Sequence, residues 1–150
     1  MTQGSMTGTV LKRYDEQLRL AEIEPDAAQR ALALRLDQLQ CALRDTANGN
    51  GFFDTLFQRK RSVPRGVYIH GAVGRGKTML MDLFFEETAY QPKRRAHFHE
   101  FMADVHDRIA VARSNVVGDP IPHVAADLAK EAKLLCFDEL HVTDIADAMI

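Results

Sequence analysis

A run of eight residues, Gly71 to Thr78, has the residue types and the spacing that could bind a phosphate chain. It reads G-A-V-G-R-G-K-T and fits the P-loop pattern G-x-x-x-x-G-K-[ST]. Glycines let a backbone wrap around an anion, and the amide N–H groups of the loop then point at the phosphates. A helix that begins at the loop adds the partial positive charge of its N-terminus. The run therefore predicts a nucleotide site, with an ordinary glycine-rich turn as the alternative.

The individual positions of this loop have expected roles. Lys77 would reach the β- and γ-phosphates and so serve catalysis as well as binding, and the Thr78 hydroxyl would ligate Mg²⁺. ATP and Mg²⁺ are accordingly the expected cofactors. The predicted nucleotide-binding residues are consecutive: Gly71, Ala72, Val73, Gly74, Arg75, Gly76, Lys77, Thr78 and Met79.

The segments on either side of the loop favour the P-loop interpretation. Gly66–His70 is a short β-branched and aromatic run after a Pro-Arg turn signal, which predicts a strand. Residues 78–87 contain good helix formers and neither glycine nor proline, which predicts a helix. Its apolar positions at helical spacing are Leu80, Leu83 and Phe84, with Met81 and Phe85 widening the buried face. Strand, loop and helix follow in the order that a P-loop requires.

A second motif, Asp138-Glu139, follows an apolar run that begins at Leu134. Four apolar residues predict a strand that is buried on both faces, and ligands of open α/β sheets bind outside the carboxyl ends of such strands. Asp138 would hold Mg²⁺ through its water shell, and Glu139 would orient and deprotonate the attacking water. An Asp-Glu pair alone is also a common helix cap. Downstream of a P-loop, the pair instead predicts an NTP hydrolase.

Composition places the chain among globular proteins. Its 150 residues suit one domain with a real core, and its net charge of −2 gives no general attraction to nucleic acid or anionic lipid. Two cysteines, Cys41 and Cys136, have no spacing signature and fit a reducing compartment. No apolar run approaches the length of a membrane span, and the N-terminus lacks the apolar core of a signal peptide.

The N-terminal part predicts two helices. The first spans about Tyr14 to Ile23 and ends before Pro25. The second is capped by Asp26 and runs to about Arg44. Its expected apolar stripe, opposite a face carrying Arg30, Arg35, Asp37 and Gln40, contains Ala31, Leu32, Leu34, Leu36, Leu39 and Leu43. Packing against the domain is the preferred role of this stripe, and docking on a partner is the alternative.

The connecting segment after residue 47 predicts a loop, then an apolar cluster and a cationic stretch. The cluster contains Phe52, Phe53, Leu56 and Phe57, and the cations are Arg59, Lys60, Arg61 and Arg65. These cations could form a nucleic-acid or phospholipid patch, but no aromatic residue is interleaved with them. A solvated connector is therefore the preferred interpretation.

Between the two motifs, the sequence predicts one strand and two helices. The strand spans about Arg95 to His99, and a helix follows over Glu100–Arg113 with an apolar face of Phe101, Val105, Ile109 and Ala112. Asp119-Pro120 predicts an N-cap with proline at the first helical position. That helix would run to about Lys130 and bury Ile121, Val124, Leu128 and Ala125.

Six histidines, at positions 70, 97, 99, 106, 123 and 141, raise the question of a metal site. His97 and His99 would share one face of the second strand, but no cysteine or third histidine has zinc-type spacing. Structural histidines are the preferred interpretation. A narrower hypothesis is that His99 or Glu100 positions Glu139 or its water. Asp144 and Asp147 would cap and solvate the next helix.

Three segments together resemble the ZapE cell-division ATPases, which are related to the mitochondrial lactation-elevated ATPases. They are Gly66–Phe85, Arg94–Met102 and Leu134–Ile150, and the resemblance extends from about Tyr14 to the end. Arg75 within the P-loop makes it more specific than a generic NTPase match. It implies an α/β fold: an AAA-like P-loop NTPase of the class with a glutamate beside the Walker-B aspartate (ASCE), with a three-layer αβα core. That core would be incomplete here and preceded by an N-terminal helical segment.

The resemblance also implies a biological setting. Bacterial members associate with the division ring and the inner membrane, and mitochondrial members act in protein quality control. We therefore expect a cytoplasmic protein with peripheral inner-membrane association, protein partners that include the division ring, and a homo-oligomer at full length; nucleic acid is not an expected partner.

Family members are more than twice this length, which leads to an expectation about domains. Residues 1–51 would form the helical segment and 52–150 the N-terminal part of the ATPase domain, truncated after the Walker-B motif. The sensor residue, the arginine finger and the strand inserted beside Gly66–His70 would lie beyond Ile150. The Gly66–His70 strand would then lack both of its sheet neighbours, which would leave backbone groups unpaired. We therefore expect the chain alone to hydrolyse little ATP.

Two hypotheses compete with the interpretation that the chain is part of an ATPase that remodels protein partners. One is a helicase-loader-like NTPase that uses Arg59 to Arg65 on nucleic acid. The other is a nucleotide-binding regulatory fragment whose long N-terminal helix docks on a partner without hydrolysis.

Overall fold

The structure is a computed structural model that describes residues 8–48, 64–115, 117–140, 142 and 148–149. These residues form two compact units, Met1–Tyr90 and Gln91–Ile150. The predicted apolar cluster at Phe52–Phe57, the cations Arg59–Arg61, and the residues His141, Asp144 and Asp147 lie outside the described residues. The P-loop shares the first unit with the N-terminal helices, and the predicted domain boundary after residue 51 stays a prediction.

The first unit is built from three helices, α1 (Val10–Arg19), α2 (Ala27–Asn48) and α3 (Lys77–Glu87). Helix α1 begins before the predicted Tyr14 because the Thr9 side chain accepts a hydrogen bond from the Lys12 N–H. It ends before the predicted Ile23 because Ala21 adopts a left-handed conformation with φ of 55°. The Asp26 cap of α2 is confirmed: Asp26 Oδ1 accepts from the N–H groups of Ala28 and Gln29, at 2.7 and 3.2 Å.

Helix α2 buries a face that differs from the predicted stripe. Leu36 and Leu43 are buried as predicted, whereas Ala31 and Leu34 are exposed. Ala33, which is outside the predicted stripe, is also buried. Gln40, which was expected on the polar side, is only 9% exposed. Its amide carbonyl accepts from Val10 N–H, and its amide nitrogen donates to the carbonyls of Gly8 and Glu87. These three bonds satisfy a polar side chain that periodicity alone would place in water.

Helix α3 follows the prediction closely. Leu80, Leu83 and Phe84 are buried, and Met81 and Phe85 are half-buried. Helices α1 and α2 pack on each other and on α3, so the preferred packing role of the leucine-rich helix is confirmed within this unit. The predicted strand Gly66–His70 is not formed, since residues 64–72 are neither helix nor strand. Strand conformation needs backbone partners, and no described segment is paired with these residues.

The second unit contains β1 (Lys93–His97), α4 (Phe98–Asn115), α5 (Ile121–Glu131) and β2 (Leu134–Asp138). The strands pair in parallel, with Lys93 opposite Leu134 and His97 opposite Asp138. Parallel strands need a long crossover, which α4 and α5 provide. The core between the helices consists of Val105, Ile109 and Val124, with Phe101, Ala112, Ile121 and Leu128 packed around it. The predicted apolar positions of both helices are confirmed, except for Ala125, which is exposed.

Three boundaries in this unit correct the sequence prediction. Strand β1 occupies Lys93–His97 instead of Arg95–His99, because its register is determined by pairing with β2. Helix α4 then begins at Phe98, whose ring contacts Phe137 edge-on at 5.7 Å. Helix α5 begins at Ile121, with Pro120 outside it as the cap residue; Asp119 Oδ1 still accepts from the Ile121 N–H.

Strand β2 was expected to be buried on both faces, and it is not. Cys136 is buried, whereas Leu134 is half-buried and Leu135 is 36% exposed. The described residues therefore form a mixed helix–strand arrangement with one small parallel sheet. This agrees with an incomplete α/β fold, and the three-layer αβα core stays a prediction.

Candidate functional site

The loop from Gly71 to Gly76 has a backbone that suits phosphate binding. Gly74 and Gly76 have φ of 78° and 75°, in the left-handed region that side chains disfavour. Gly76 is the cap residue of α3 and makes no side-chain cap bond, so the first N–H groups of the helix keep their capacity to bind an anion. A helix thus follows the loop as a P-loop requires, but the strand predicted before the loop is not formed.

Lys77 is placed at the start of α3 with its side chain folded over the loop. Its Nζ donates to the carbonyl oxygens of Gly71 and Ala72, at 2.9 and 2.7 Å. The ammonium group therefore lies against the backbone whose N–H groups would face the phosphates. Thr78 is exposed in the first turn of α3, and Met79 is half-buried beside it. Val73, at the tip of the loop, is 98% exposed.

Arg75 connects the loop to the first turn of α2. Its guanidinium Nη2 lies 2.8 Å from Asp26 Oδ2, and its backbone carbonyl accepts from Gln29 Nε2 at 3.3 Å. Hydrogen bonds from the N–H groups of Gln29 and Ala28 lower the pKa of Asp26 below its ordinary value, and the Arg75 charge acts in the same direction. Asp26 is therefore a carboxylate at neutral pH with both oxygens engaged.

A cavity of about 530 Å³ lies within the first unit between the loop and the start of α2. Its polar lining residues are Asp26, Gln29, His70, Arg75 and Lys77. Its apolar lining includes Leu32, Ile69 and Leu80 together with the ring of Tyr68. This volume lies within the range of small-ligand sites, and the cavity is partly open to solvent.

Asp138, at the C-terminal end of β2, accepts two hydrogen bonds from one guanidinium group. Arg95 Nε donates to Oδ2 at 2.7 Å and Arg95 Nη2 to Oδ1 at 3.2 Å. The two residues are diagonal neighbours in the strand pair, since Arg95 lies opposite Cys136. This bidentate contact with a half-buried arginine fixes the orientation of the Asp138 carboxylate.

Glu139 follows directly and is exposed, with a left-handed backbone at φ of 51°. Few residues other than glycine adopt this region, and the conformation costs on the order of 1 kcal/mol or more. Glu139 thus lies directly after the C-terminal end of β2, and ligands of open α/β sheets bind at that edge.

The oxygen atoms of Thr78 and Asp138 are of the kind that Mg²⁺ prefers, so both side chains fit the expected metal chemically. Thr78 belongs to the first unit and Asp138 to the second. Within the described ranges, no group of three or more His, Cys, Asp or Glu side chains could hold a metal ion.

The histidine hypotheses have mixed outcomes. His97 ends β1 and His99 lies in α4, so the idea that both occupy one strand face is wrong, although their rings stack at 5.9 Å between centroids. Glu100 is in the first turn of α4. Positioning of Glu139 by His99 or Glu100 stays a prediction.

Three residues that contact predicted site residues are not identified from the sequence. The sequence predicts Asp26 only as a helix cap and assigns no role to Gln29 or Arg95. The residues next to a helix-capping aspartate do not indicate that it also binds an arginine far along the chain. The residues next to an arginine in a strand do not indicate its ion-pair partner either. Only the tertiary contacts identify them.

None of the helices in the described residues is long and apolar enough to cross a membrane.

Comparison with known proteins places the chain in a family. The family model of the AFG1-like ATPases matches residues 8–150. Lactation elevated protein 1 homolog B of Danio rerio is 50% identical over 96 residues, covering 58% of this chain and 19% of that protein. Cell division protein ZapE of Escherichia coli (strain K12) is 44% identical over 91 residues, covering 61% of this chain and 24% of ZapE.

The chain thus matches a quarter or less of the length of these relatives. No solved structure matches it significantly. The family match extends over almost all of the sequence, including the P-loop pattern at Gly71–Thr78 and the acidic pair at Asp138-Glu139. The resemblance noted from the sequence is therefore correct, and the chain belongs to the AFG1-like ATPase family.

Proposed function

We propose that this chain binds ATP through the loop Gly71–Met79 and contributes to Mg²⁺-dependent ATP hydrolysis by an AAA-like ATPase. The observation that carries the proposal is the loop itself: two left-handed glycines, a helix that begins at Lys77 without a side-chain cap, and an ammonium group held over the loop. Membership in an ATPase family supports the same nucleotide and reaction.

Each site residue has a proposed task in this reaction. The loop N–H groups and Lys77 bind the phosphates and stabilise the charge that develops on them. Thr78 and Asp138 would hold Mg²⁺, which supplies charge neutralisation on the phosphate oxygens. Glu139 orients and deprotonates the attacking water.

The biological role that we propose is remodelling of protein partners, driven by ATP hydrolysis. The name of one relative, cell division protein ZapE, supports a role in cell division. We propose in addition that the whole protein forms a homo-oligomer, that the division ring is among its partners, and that it is cytoplasmic with peripheral association at the inner membrane.

The test is ATP binding by the 150-residue chain, measured by isothermal titration calorimetry with Mg²⁺ present. Lys77→Ala should weaken ATP binding at least about tenfold, because charged hydrogen bonds to phosphate contribute about 1.5–3 kcal/mol each. Lys12→Ala, on the outer side of α1, is the matched loss of one lysine and should bind as the wild type does.

Glu139→Gln separates binding from hydrolysis. This variant should retain ATP affinity, and any Mg²⁺-dependent release of phosphate should be lost, because glutamine cannot accept the proton of water. ATP binding that survives Lys77→Ala unchanged would refute the proposed site.

A further inference from the structure

The contact between the loop and the first turn of α2 has no role in the chemistry described so far. Asp26 and Gln29 touch Arg75 at two separate points, one on its guanidinium group and one on its backbone carbonyl. A Cβ atom on the adjacent Gly76 would lie 2.8 Å from Gln29 Nε2, so the helix turn and the loop approach each other closely here.

These contacts reach the part of the loop that is conformationally least restricted. Arg75 lies between two glycines in the left-handed region, and nothing lies within 4 Å of the position of a Cβ on Gly74. A loop with three glycines has many accessible conformations, so external contacts decide which one is populated. The Asp26–Gln29 turn supplies such contacts.

The α2 turn is itself held in place. Asp26 Oδ1 caps α2, and the Asp26 carbonyl accepts a hydrogen bond at 3.3 Å from the hydroxyl of Tyr14, a fully buried residue of α1. The Asp26 side chain is only 24% exposed, whereas that of Arg75 is 58% exposed. Asp26 is therefore held in place by the helix turn, whereas the Arg75 side chain is the less constrained member of the ion pair.

We propose that Asp26 and Gln29 are positioning residues for the phosphate-binding loop: they hold Arg75, and through it the loop backbone, in the conformation that receives the nucleotide. The inference rests on the proposed function, since it assumes that ATP binds at Gly71–Met79. It follows that ATP affinity depends on the packing of the N-terminal helices, although neither residue belongs to the P-loop motif.

The experiment compares two substitutions of Asp26. Asp26→Asn retains a good N-cap but removes the charge that binds Arg75. Asp26→Glu retains the charge but is a poorer cap. ATP affinity is measured by calorimetry, and the unfolding midpoint without nucleotide is measured by circular dichroism.

We expect Asp26→Asn to weaken ATP binding roughly twofold to fivefold, the range of a partly exposed ion pair, with little change in the unfolding midpoint. Asp26→Glu should show the reverse: a lower midpoint and an affinity closer to that of the wild type. A purely structural role of Asp26 would lower the midpoint in both variants and leave the affinity unchanged.

A double-mutant cycle tests the pair directly. Arg75→Gln should weaken binding by a similar factor, and the double variant should bind no more weakly than the weaker single variant, because both substitutions remove the same contact. Asp119→Asn is the matched control, since Asp119 Oδ1 accepts from the Ile121 N–H at the start of α5 as Asp26 Oδ1 accepts from the Ala28 N–H, and it should leave ATP affinity unchanged.

The outcomes distinguish this inference from the proposed function. If Lys77→Ala loses ATP binding while Asp26→Asn binds as tightly as the wild type, the nucleotide site stands and the positioning role is overturned. Tighter binding by Asp26→Asn, or additive losses in the double variant, also overturns the positioning role. If the wild-type chain binds no ATP, both are overturned.

Discussion

Lys77 and Asp138 already have polar partners in the chain itself. Lys77 donates to two carbonyls of its own loop, and Asp138 accepts two bonds from Arg95. Binding of a phosphate or of Mg²⁺ would therefore exchange existing contacts for new ones. The net free energy of binding is smaller than the number of new bonds suggests, since each exchange contributes only the difference between two contacts.

The two cysteines lie in different environments, which leads to a prediction about thiol reactivity. Burial raises the pKa of Cys136 above its ordinary value, because a thiolate at this buried position of β2 would be poorly solvated. Cys41 is half-buried on α2 and lies 3.7 Å from Arg44 Nη2. We expect iodoacetamide at pH 8 to alkylate Cys41 several-fold faster than Cys136.

Mass spectrometry of tryptic peptides over time measures the two rates of alkylation. Denaturation in guanidinium should make the rates similar, which controls for differences in sequence context. Equal rates in the folded chain would show that Cys136 is accessible.

At the scale of elements, the ends of helices depend on a few specific bonds. Helix α1 ends in a Schellman motif: the Glu22 N–H donates to the Gln17 carbonyl and the Ala21 N–H to the Leu18 carbonyl. The residue at the left-handed position is Ala21, with φ of 55°, where glycine is usual. The motif thus forms with a strained residue at its centre.

Ala21→Gly should therefore stabilise the chain. Glycine removes the Cβ strain of the left-handed conformation, and after the entropy of the unfolded chain is subtracted we expect a gain of about 0.5–1 kcal/mol. Urea unfolding followed by circular dichroism measures the change. Ala31→Gly, at an exposed position inside α2, should lose about 1 kcal/mol, so the same substitution has opposite signs at the two sites.

Gln40 joins three elements, and its removal should destabilise them. Gln40→Leu keeps the side-chain size but leaves the buried Val10 N–H and the Glu87 carbonyl without this partner. We expect a loss of about 1–3 kcal/mol in unfolding free energy. Gln38→Leu changes an exposed glutamine of the same helix and should remain within about 0.5 kcal/mol of the wild type. Equal effects of the two substitutions would contradict a structural role of the buried amide.

At the scale of the whole molecule, the predicted site residues belong to two compact units: the loop and α3 to the first, and Asp138 and Glu139 to the second. A ligand that binds only the folded state raises the free energy of unfolding by an amount that depends on its concentration relative to Kd. The proposed site therefore makes a prediction that does not require turnover.

ATP with Mg²⁺ at about 100 times Kd should stabilise the unit that contains the loop by about 2.7 kcal/mol. Thermal unfolding followed by circular dichroism should then show a midpoint that is several degrees higher. The shift should disappear in Lys77→Ala. An equal shift in the wild type and in this variant would show that ATP binds elsewhere.

Several features were determined by the sequence alone, because their physical causes are local. The glycine spacing of the loop, the cap at Asp26 and the apolar positions Leu80, Leu83 and Phe84 act over a few neighbouring residues. Backbone conformation, capping and helical periodicity are such short-range effects. The family resemblance rests on the same local segments and is correct.

The tertiary structure alone decided the features that depend on a distant partner. The register of β1 depends on β2, the burial of Gln40 depends on α1 and α3, and the ion pairs Arg75–Asp26 and Arg95–Asp138 join residues far apart in sequence. Gly66–His70 has strand-forming residues but needs a paired neighbour to become a strand. Propensity and spacing cannot specify such partners, since they describe one segment at a time.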